Sequence, residues 1–261
     1  MKSQLCTYST LSSAQFQAWA TRLGSKNHMH RKVWKWCFIC EALNDSGCLE
    51  PGRVGLGFAV GQEPLVSVFN SFGVEVVATD LDTLAAADKG WVQTNQHADN
   101  KAVLNLRGLC SADVFDRLTT FEFADMTQIP SRYSGCFDFT WSACAFEHLG
   151  SLDAGIDFVF GSLETVKPGG VAVHTTEFNI SSEESTVEFG ETVIYRRRDI
   201  ERLIAALHES GYGVEMDWNF GDRPLDYFVD IAPYSHDPHL KLRLADYTVT
   251  SLGLIISKPK G

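Results

Sequence analysis

The first fifty residues repeat apolar positions with a helical period. Leu11, Phe16, Trp19 and Leu23 recur at helix-like spacing, and Gly24 follows them directly. Because glycine commonly ends a helix, the pattern predicts one helix that closes at Gly24.

A second helix is predicted over 29–44, ending before Gly47. Trp34, Phe38 and Leu43 form its apolar stripe, which indicates a helix that packs one face against a core. Three basic side chains of this helix are expected to point away from that stripe: Arg31, Lys32 and Lys35.

From Pro51 onward, short β-branched runs alternate with helical segments. The predicted helices cover 62–72, 81–90 with a stop at Gly90, 151–167 with a stop at Pro-Gly-Gly, and 198–211. The predicted strands are "RVGLGFAV", "VEVVAT", "FEFAD", "FDFTWS", "VAVHTTEF", "GVEMDW" and "YTVTSLGLIIS". This alternation predicts an α/β fold, a doubly wound and mostly parallel sheet with helices on both faces. Ligands of such sheets bind at the carboxyl ends of the strands.

Three connections are long: 91–107, 179–195 and 220–246. Connections of this length are commonly functional elaborations or disordered segments. The segment 179–195, which contains "SSEEST", is expected to be mobile, whereas the other two carry aromatic residues, His or Pro and are expected to be ordered. We therefore predict an N-terminal helical extension over 1–50 and one domain over 51–261, with pocket elaborations at 179–195 and 220–246.

The charge balance is acidic, with 22 Lys and Arg against 33 Asp and Glu and a formal net charge of −11. This charge argues against a nucleic-acid partner, whose phosphates require clustered basic residues, but permits a small anion held by a local cluster. No apolar run approaches the roughly 20 residues that span a bilayer. The N-terminus also lacks a signal-peptide pattern, so no membrane contact and a cytoplasmic location are expected.

Seven cysteines form no regular framework. Cys37, Cys40 and Cys48 have a spacing that zinc sites also use. The first two lie on an apolar helix without a second close pair, so buried free thiols are the favoured interpretation.

Gly55, Gly57 and Gly61 lie between a predicted strand and a helix, where glycine allows a tight turn and a close backbone approach to a ligand. Asp80 ends the next strand, where a carboxylate can accept hydrogen bonds from ribose hydroxyls. The alternative role for Asp80 is a helix N-cap, for which Asp82 is the better candidate.

These features occur in the order found in class I S-adenosylmethionine-dependent methyltransferases, which the chain resembles from about residue 52 to 211. The resemblance is carried by "VGLGFAVG", "VVATDLD", "FADMTQIP", "FDFTWSACAFEHLG" and "LETVKPGGVAVHTTEF". It implies a Rossmann-like sheet of seven strands whose last strand, "YTVTSLGLIIS", runs antiparallel between two others. It also implies that S-adenosyl-L-methionine is the cofactor and that the N-terminal helices form a lid.

The resemblance assigns the cofactor contacts residue by residue. Asp80 and the adjacent Leu81 would hold the ribose, Asp125 the adenine amino group, and Met126 the adenine ring. Ser142 would lie beside the methionine part, and the three glycines would form the loop beneath it.

Two positions depart from the family pattern. The family usually has an acid two residues before its first glycine, where this chain has Arg53, and Ala59 replaces a glycine of the compact loop. Glu63 follows the loop and is one candidate to replace the missing acid.

His148 and Glu177 are the candidate catalytic residues. His148 lies just past the fourth family strand, where an imidazole can take a proton from an acceptor hydroxyl; its alternative role is a helix cap or a partner of Glu147. Glu177 ends the fifth family strand and is expected in the acceptor pocket together with Asn179.

A metal site is the alternative use of this region. Some relatives carry Glu-x-x-Glu-His and bind a divalent cation, but this chain has Cys144 at the first Glu position. His174 and Glu177 are candidates to complete such a set. We predict no metal.

The resemblance therefore predicts a methyltransferase that acts on a small molecule, preferably on a hydroxyl of a sugar or secondary metabolite. N-methylation, a non-catalytic cofactor-binding protein and a nicotinamide dehydrogenase are the alternatives. The basic run 196–198 is expected to be a solvated face unless one arginine points inward to hold an anionic acceptor.

Overall fold

A mixed sheet forms the centre of the molecule. The structure, a computed structural model, describes residues 1–88, 96–235 and 237–261. The strands are β1 (Ser3–Leu5), β2 (Val54–Phe58), β3 (Glu75–Asp80), β4 (Thr119–Phe123), β5 (Phe137–Ala143), β6 (Gly150–Ser151), β7 (Val166–Asn179), β8 (Phe189–Gly190), β9 (Met216–Asp217), β10 (Leu242–Leu244) and β11 (Tyr247–Ser257). Within the described residues nine strands share one sheet, in the order β4-β3-β2-β5-β7-β11-β1-β9 with β10 paired to β11, and β6 pairs with β8 separately.

Helices cover both faces of this sheet. They are α1 (Tyr8–Leu11), α2 (Ala14–Arg22), α3 (Arg31–Asp45), α4 (Leu65–Ser71), α5 (Thr83–Asp88), α6 (Ala112–Leu118), α7 (Leu152–Glu164) and α8 (Arg197–Glu209), with 3₁₀ turns at Lys101–Asn105, Ser131–Tyr133, Phe146–His148 and Pro224–Asp226. Apolar side chains of α2, α3, α4 and α6 share one core with β5, and those of α7 and α8 share a second core on the opposite face. Two cores on two faces are the expected result of a doubly wound topology.

The predicted fold class is confirmed. Strands β2, β3, β4, β5 and β7 pair in parallel, and β11 runs antiparallel between β7 and β1. The sheet exceeds the expected seven strands because the short strands β1 and β10 both pair with β11. Helix α7 ends at Glu164, before the Pro-Gly-Gly sequence expected to stop it, and that sequence lies within β7. Gly90, the expected stop of another helix, lies outside the described residues.

The N-terminal segment is part of the sheet. Gln4 of β1 lies opposite Gly253 of β11, and Ser3 lies opposite Met216 of β9. Residues 1–50 therefore contribute both a strand and the covering helix α3, so the expected boundary at residue 50 does not separate two cores. A role for this segment as a lid stays a prediction.

Helix α3 is buried on every side from Val33 to Cys40. The expectation that its basic side chains point outward is wrong for two of them. Lys35 exposes 8% of its side chain and Arg31 exposes 16%, because both reach Glu177 at the end of β7. An acid within a buried strand segment requires such partners, since an unpaired buried charge is costly.

The two described elaborations are tied down by hydrogen bonds. In 179–195, expected to be mobile, Asn179 Nδ2 donates to Ser185 O (3.1 Å) and Thr186 Oγ1 donates to Ile194 O (2.7 Å). Asn179 therefore organises its own loop. In 220–246, Lys241 Nζ donates to Phe220 O (2.9 Å). His236 lies outside the described residues.

Cys37, Cys40 and Cys48 are buried free thiols within the apolar core. Burial raises the pKa of Cys37 to about 12 and that of Cys48 to about 11, which keeps these thiols protonated. None of the helices in the described ranges combines the length and the apolar content that crossing a bilayer requires.

Gly253 lets α3 approach β11 closely. A Cβ atom at this position would lie 2.3 Å from Phe38 Cε1. We expect Gly253→Ala to lower the free energy of unfolding by about 1–3 kcal/mol, because the ring has to shift within a packed core. Urea unfolding measures the change. Adding Phe38→Leu should recover part of it, and an unchanged stability of Gly253→Ala would contradict the close contact between helix and sheet.

Candidate functional site

A cavity of about 280 Å³ opens at the carboxyl ends of β2, β3 and β5. Strand β2 has β3 on one side and β5 on the other, so the cavity lies where the strand order reverses. Ligands of open α/β sheets bind at this point. The lining consists of Ala59 and residues 61–63 after β2, Asp80, Gln96, residues 143–145 after β5, Lys32 and His148.

The loop after β2 supplies one wall of the cavity. Ala59 and Gly61 both have left-handed backbones, with φ of 47° and 53°. Ala59 thus adopts at some cost a conformation that suits glycine. A Cβ on Gly61 would lie 2.5 Å from Gln96 O, so glycine is required there for the segment at Gln96 to approach.

Gly55 and Gly57, expected beneath the cofactor, make room for aromatic rings instead. A Cβ on Gly55 would lie 2.3 Å from Phe139 Cζ, and one on Gly57 would lie 2.4 Å from Trp141 Cζ2. The close approach at these two glycines is therefore packing between β2 and β5 on the α4 side of the sheet.

Arg53 lies at the opposite end of the sheet from the cavity. It precedes β2, and its Nη1 is 3.2 Å from Asp138 Oδ1. Arg53 therefore does not line the cavity. Gly55 and Gly57 both lie within β2, and a Cβ on Gly55 would collide with the Phe139 ring, which leaves no space there for an acidic side chain.

Asp80 connects three backbone segments. Its Oδ2 accepts from Gly61 N (2.9 Å) and Ala98 N (3.1 Å), and its Oδ1 accepts from Leu81 N (2.8 Å). Burial raises the pKa of Asp80, against the opposing effect of these N–H groups. A carboxylate offers about four acceptor positions, so one position on Oδ1 is left for a ligand hydroxyl. Asp82 accepts from Leu84 N (3.0 Å) as the helix cap.

The segment 96–98 covers Asp80 and Leu81. His97 Nε2 donates to Leu81 O (2.7 Å), and Gln62 Nε2 donates to His97 O (3.2 Å). Together with the bond from Ala98 N, these contacts make the long connection before α6 a wall of the cavity.

Asp125 and Met126 are near Asp80 along the backbone but do not line this cavity. Ala124 N donates to Asp80 O (2.8 Å). The Asp125 carboxylate accepts from Thr127 N and Thr127 Oγ1, both at 2.8 Å. Met126 lines a separate groove of about 650 Å³ along α7.

Ser142 is fully buried and faces away from the cavity. Ser162 Oγ donates to Val159 O (2.7 Å), so it accepts from His174 Nε2 (3.0 Å). His174 Nδ1 therefore accepts from Ser142 Oγ (2.9 Å). Burial lowers the pKa of His174 to about 3, which keeps the imidazole neutral. This network occupies the Ser142 hydroxyl and directs His174 away from Glu177.

His148 lines the cavity, as expected for a base. Its Nδ1 lies 2.8 Å from Glu191 O and 3.2 Å from Thr192 Oγ1. A carbonyl oxygen can only accept, so Nδ1 carries the proton and Nε2 is the basic nitrogen. The bond to Glu191 thus fixes the tautomer that a general base needs.

Comparison with protein-family models finds no match, and comparison with curated proteins finds none. Solved structures do match. A 1,6-didemethyltoxoflavin-N1-methyltransferase from Burkholderia thailandensis, with S-adenosylhomocysteine bound, has a TM-score of 0.51 and 12% identity over 85% of this chain and 77% of its own. The methyltransferase domain of bacterial CtHen1 has a TM-score of 0.52 and 12% identity over 87% of this chain and all of its own.

The chain has the fold of the class I S-adenosylmethionine-dependent methyltransferases. The [4+2]-cyclase SpnF shares this fold, with a TM-score of 0.53 and 15% identity over 85% of this chain and 81% of its own. At these identities the likeness concerns the fold, and the reaction has to be argued from the site.

A buried charged cluster adjoins the cavity. Lys35 Nζ lies 3.2 Å from Glu177 Oε1, and Arg31 Nη1 donates to Glu177 Oε2. Burial alone would raise the pKa of Glu177, but Arg31 and Lys35 lower it to about 2. Glu177, expected as an acceptor-pocket acid, is therefore an ionised anchor for two cations.

Cys144 and Glu147 complete this cluster. Cys144 lines the cavity in a left-handed backbone conformation with φ of 50°, and its Sγ lies 3.5 Å from Glu177 Oε1. Glu147 is fully buried: Thr176 Oγ1 donates to its Oε2 (3.1 Å), and its Oε1 has no partner among the described residues. Burial raises the pKa of Glu147, which favours the protonated carboxyl.

The ligand atoms of Cys144, Glu147 and Glu177 lie within 4.8 Å of one another, which is also a spacing that a metal ion can use. Arg31 and Lys35 already supply positive charge to this cluster. His174, the other candidate ligand, lies on the opposite face of the sheet between two serines.

Sequence reasoning missed Arg31 and Lys35 as site residues. Their i, i+4 spacing was visible, but basic residues at this spacing usually form a solvated helix face. The available signal was Glu177 itself, an acid within a strand of mostly buried residues. A buried acid requires a cationic partner, so a basic side chain had to reach it.

The Glu177 ion pairs predict a specific acid sensitivity. The pKa of Glu177 is about 2 in the folded protein against an ordinary value of 4.5, so its stabilising effect is complete above about pH 5. It is worth about 3 kcal/mol and is lost as the pH falls towards 2. We expect Glu177→Gln to be less stable at pH 7 and to lose less stability than the wild type between pH 5 and 2. Urea unfolding across this range measures both, with exposed Glu183→Gln as control; parallel profiles for Glu177→Gln and the wild type would contradict the assignment.

Proposed function

We propose that the protein is an S-adenosylmethionine-dependent methyltransferase that acts on a small-molecule acceptor, with a hydroxyl group as the preferred target. One observation carries the proposal: the glycine turn, Asp80 and His148 meet in one cavity at the reversal of strand order. This supports a cofactor position with a base beside it. The methyltransferases that share the fold agree with this choice.

The cofactor would lie along the carboxyl edge of the sheet. Its ribose would use the acceptor position left on Asp80 Oδ1, and the turn at 57–61 would support the amino-acid part. Leu81 is proposed for the ribose, and Asp125 and Met126 for the adenine end, which requires the ligand to extend beyond the cavity. A cavity volume of about 280 Å³ is at the lower end for a small-molecule site. Segment 96–98 or α3 therefore has to move outward to admit the whole cofactor.

Positioning and proton transfer are the tasks left to the chain. The bound sulfonium supplies a methyl group that is already activated for displacement. The cavity walls hold the acceptor oxygen in line with that methyl group, which lowers the entropic part of the barrier. His148 Nε2 accepts the hydroxyl proton, and the Glu191 carbonyl stabilises the resulting imidazolium through Nδ1.

A nicotinamide dehydrogenase is the alternative tested first. We expect calorimetric titration to show micromolar binding of S-adenosylhomocysteine and no binding of NAD. Asp80→Asn should weaken this binding at least tenfold and lower the thermal midpoint, because the carboxylate also holds Gly61 and Ala98. Gln128→Ala, an exposed change, is the control. Binding of NAD alone, or unchanged affinity in Asp80→Asn, would contradict the assignment.

His148 is expected to act on the acceptor and not on the cofactor. With an acceptor found by screening hydroxyl compounds, His148→Ala should lower the turnover rate by about 10²- to 10⁴-fold while the affinity for S-adenosylhomocysteine stays unchanged. Full activity of the variant at every pH would remove His148 from the mechanism.

A further inference from the structure

Arg31 presents spare hydrogen-bond donors beside the cavity. Among the described residues its side chain makes one hydrogen bond, from Nη1 to Glu177, whereas a guanidinium carries five N–H donors. The side chain is 16% exposed, so it is not completely enclosed by the protein. Its backbone N–H donates to His239 O (2.8 Å), which fixes the start of α3. The guanidinium is therefore held in place with donors to spare.

The charges around Arg31 leave positive charge unmatched. Lys35 exposes 8% of its side chain, and its Nζ has Glu177 as its hydrogen-bond partner in the described ranges. Two cations thus share one ionised carboxylate, since the neighbouring Glu147 favours its neutral form. Buried cations are stable only when they are paired, so this cluster favours an additional anion.

The cluster of Arg31, Lys35 and Glu177 lies next to the cavity, and this position indicates which molecule would supply the anion. Cys144 contacts Glu177 on one side and the cavity on the other. Lys32, the residue after Arg31 on α3, lines the cavity directly. Glu63 lines the same cavity, and burial raises the pKa of its carboxyl group. Lys32 is therefore the cation of α3 on the cavity wall, and Arg31 and Lys35 lie behind Cys144, one residue away from that wall.

The arginine run 196–198 was expected to be a solvated face unless one arginine points inward, and its arginines are engaged by nearby acids. Arg196 Nε lies 2.8 Å from Asp199 Oδ2, and its Nη2 lies 2.7 Å from Glu188 Oε1. Arg197 Nε lies 2.8 Å from Glu201 Oε1. These ion pairs engage Arg196 and Arg197 with acids of α8 and of the loop that precedes it.

We propose that Arg31, flanked by Lys32 and Lys35, forms a subsite for an anionic group of the acceptor, a carboxylate or a phosphate. The inference rests on the proposed function and narrows its acceptor to acidic small molecules. A guanidinium fork matches the two oxygens of such groups. Because the whole chain carries −11, capture of an anion depends on local cations of this kind. The carboxylate of the cofactor has the same chemistry, so the test has to separate the two sources.

The first experiment titrates protein loaded with S-adenosylhomocysteine with inorganic phosphate, and separately with acetate, at matched ionic strength in chloride. We expect saturable binding in the wild type, weakened about 10- to 100-fold by Arg31→Gln. Arg31→Lys, which keeps the charge and loses the fork, should be intermediate. Arg202→Gln, an exposed arginine on α8, is the matched control. Absence of saturable binding to the wild type, or equal binding to Arg31→Gln, would overturn the proposal.

The second experiment identifies the source of the anion. The affinities of S-adenosylhomocysteine and of 5′-methylthioadenosine, which lacks the amino-acid part, are compared in the wild type and Arg31→Gln. Unchanged affinities support a subsite for the acceptor. Weaker binding of S-adenosylhomocysteine alone would assign Arg31 to the cofactor carboxylate and overturn the proposal.

Two further outcomes separate this inference from the proposed function. If S-adenosylhomocysteine does not bind, the methyltransferase proposal fails, and phosphate binding by the free protein that depends on Arg31 would still support an anion site. If Arg31→Gln fails to fold, Lys32→Met provides the test, because Lys32 is exposed. Lys32→Met should weaken phosphate binding, and unchanged binding would contradict a role for the basic residues of α3 in holding the anion.

Discussion

The contact of Glu177 with Arg31 and Lys35 joins the two parts of the molecule on which the site depends. It attaches α3, from the N-terminal segment, to the carboxyl end of β7 in the middle of the sheet. Because the cluster is buried, removing one partner leaves an unpaired charge, so the three residues act as a unit. Cys144 and Lys32 owe their positions on the cavity wall to this attachment.

Asp80 has a related role on the other side of the cavity. Its carboxylate is directed at backbone N–H groups of the glycine turn and of segment 96–98, so it shapes the site before any ligand arrives. A residue expected to contact a ribose, or else to cap a helix, thus also joins separate backbone segments. Both sides of the cavity are held by a buried acid, in one case through ion pairs and in the other through peptide groups.

The sequence patterns predicted the alternation of strands and helices and the mostly parallel sheet, because these depend on local periodicity and on the order of elements along the chain. They did not predict that Gly55 and Gly57 admit the rings of Phe139 and Trp141, since that depends on which strands pair. The burial of Arg31 and Lys35 was missed for the same reason. Their partner Glu177 lies about 140 residues away, and the spacing of basic residues on a helix is equally typical of a solvated face.

The placement of β1 has a consequence for how the chain assembles. Strand β1 pairs with β11, its partner about 250 positions away, and it separates β11 from β9. During synthesis β1 and α3 emerge long before β11, which both of them contact. Contacts of such high sequence separation form late and slowly. The packing of α3 on β7 and β11 is therefore completed in a late step of folding, after the strands β2 and β3 and the glycine turn between them can already have formed.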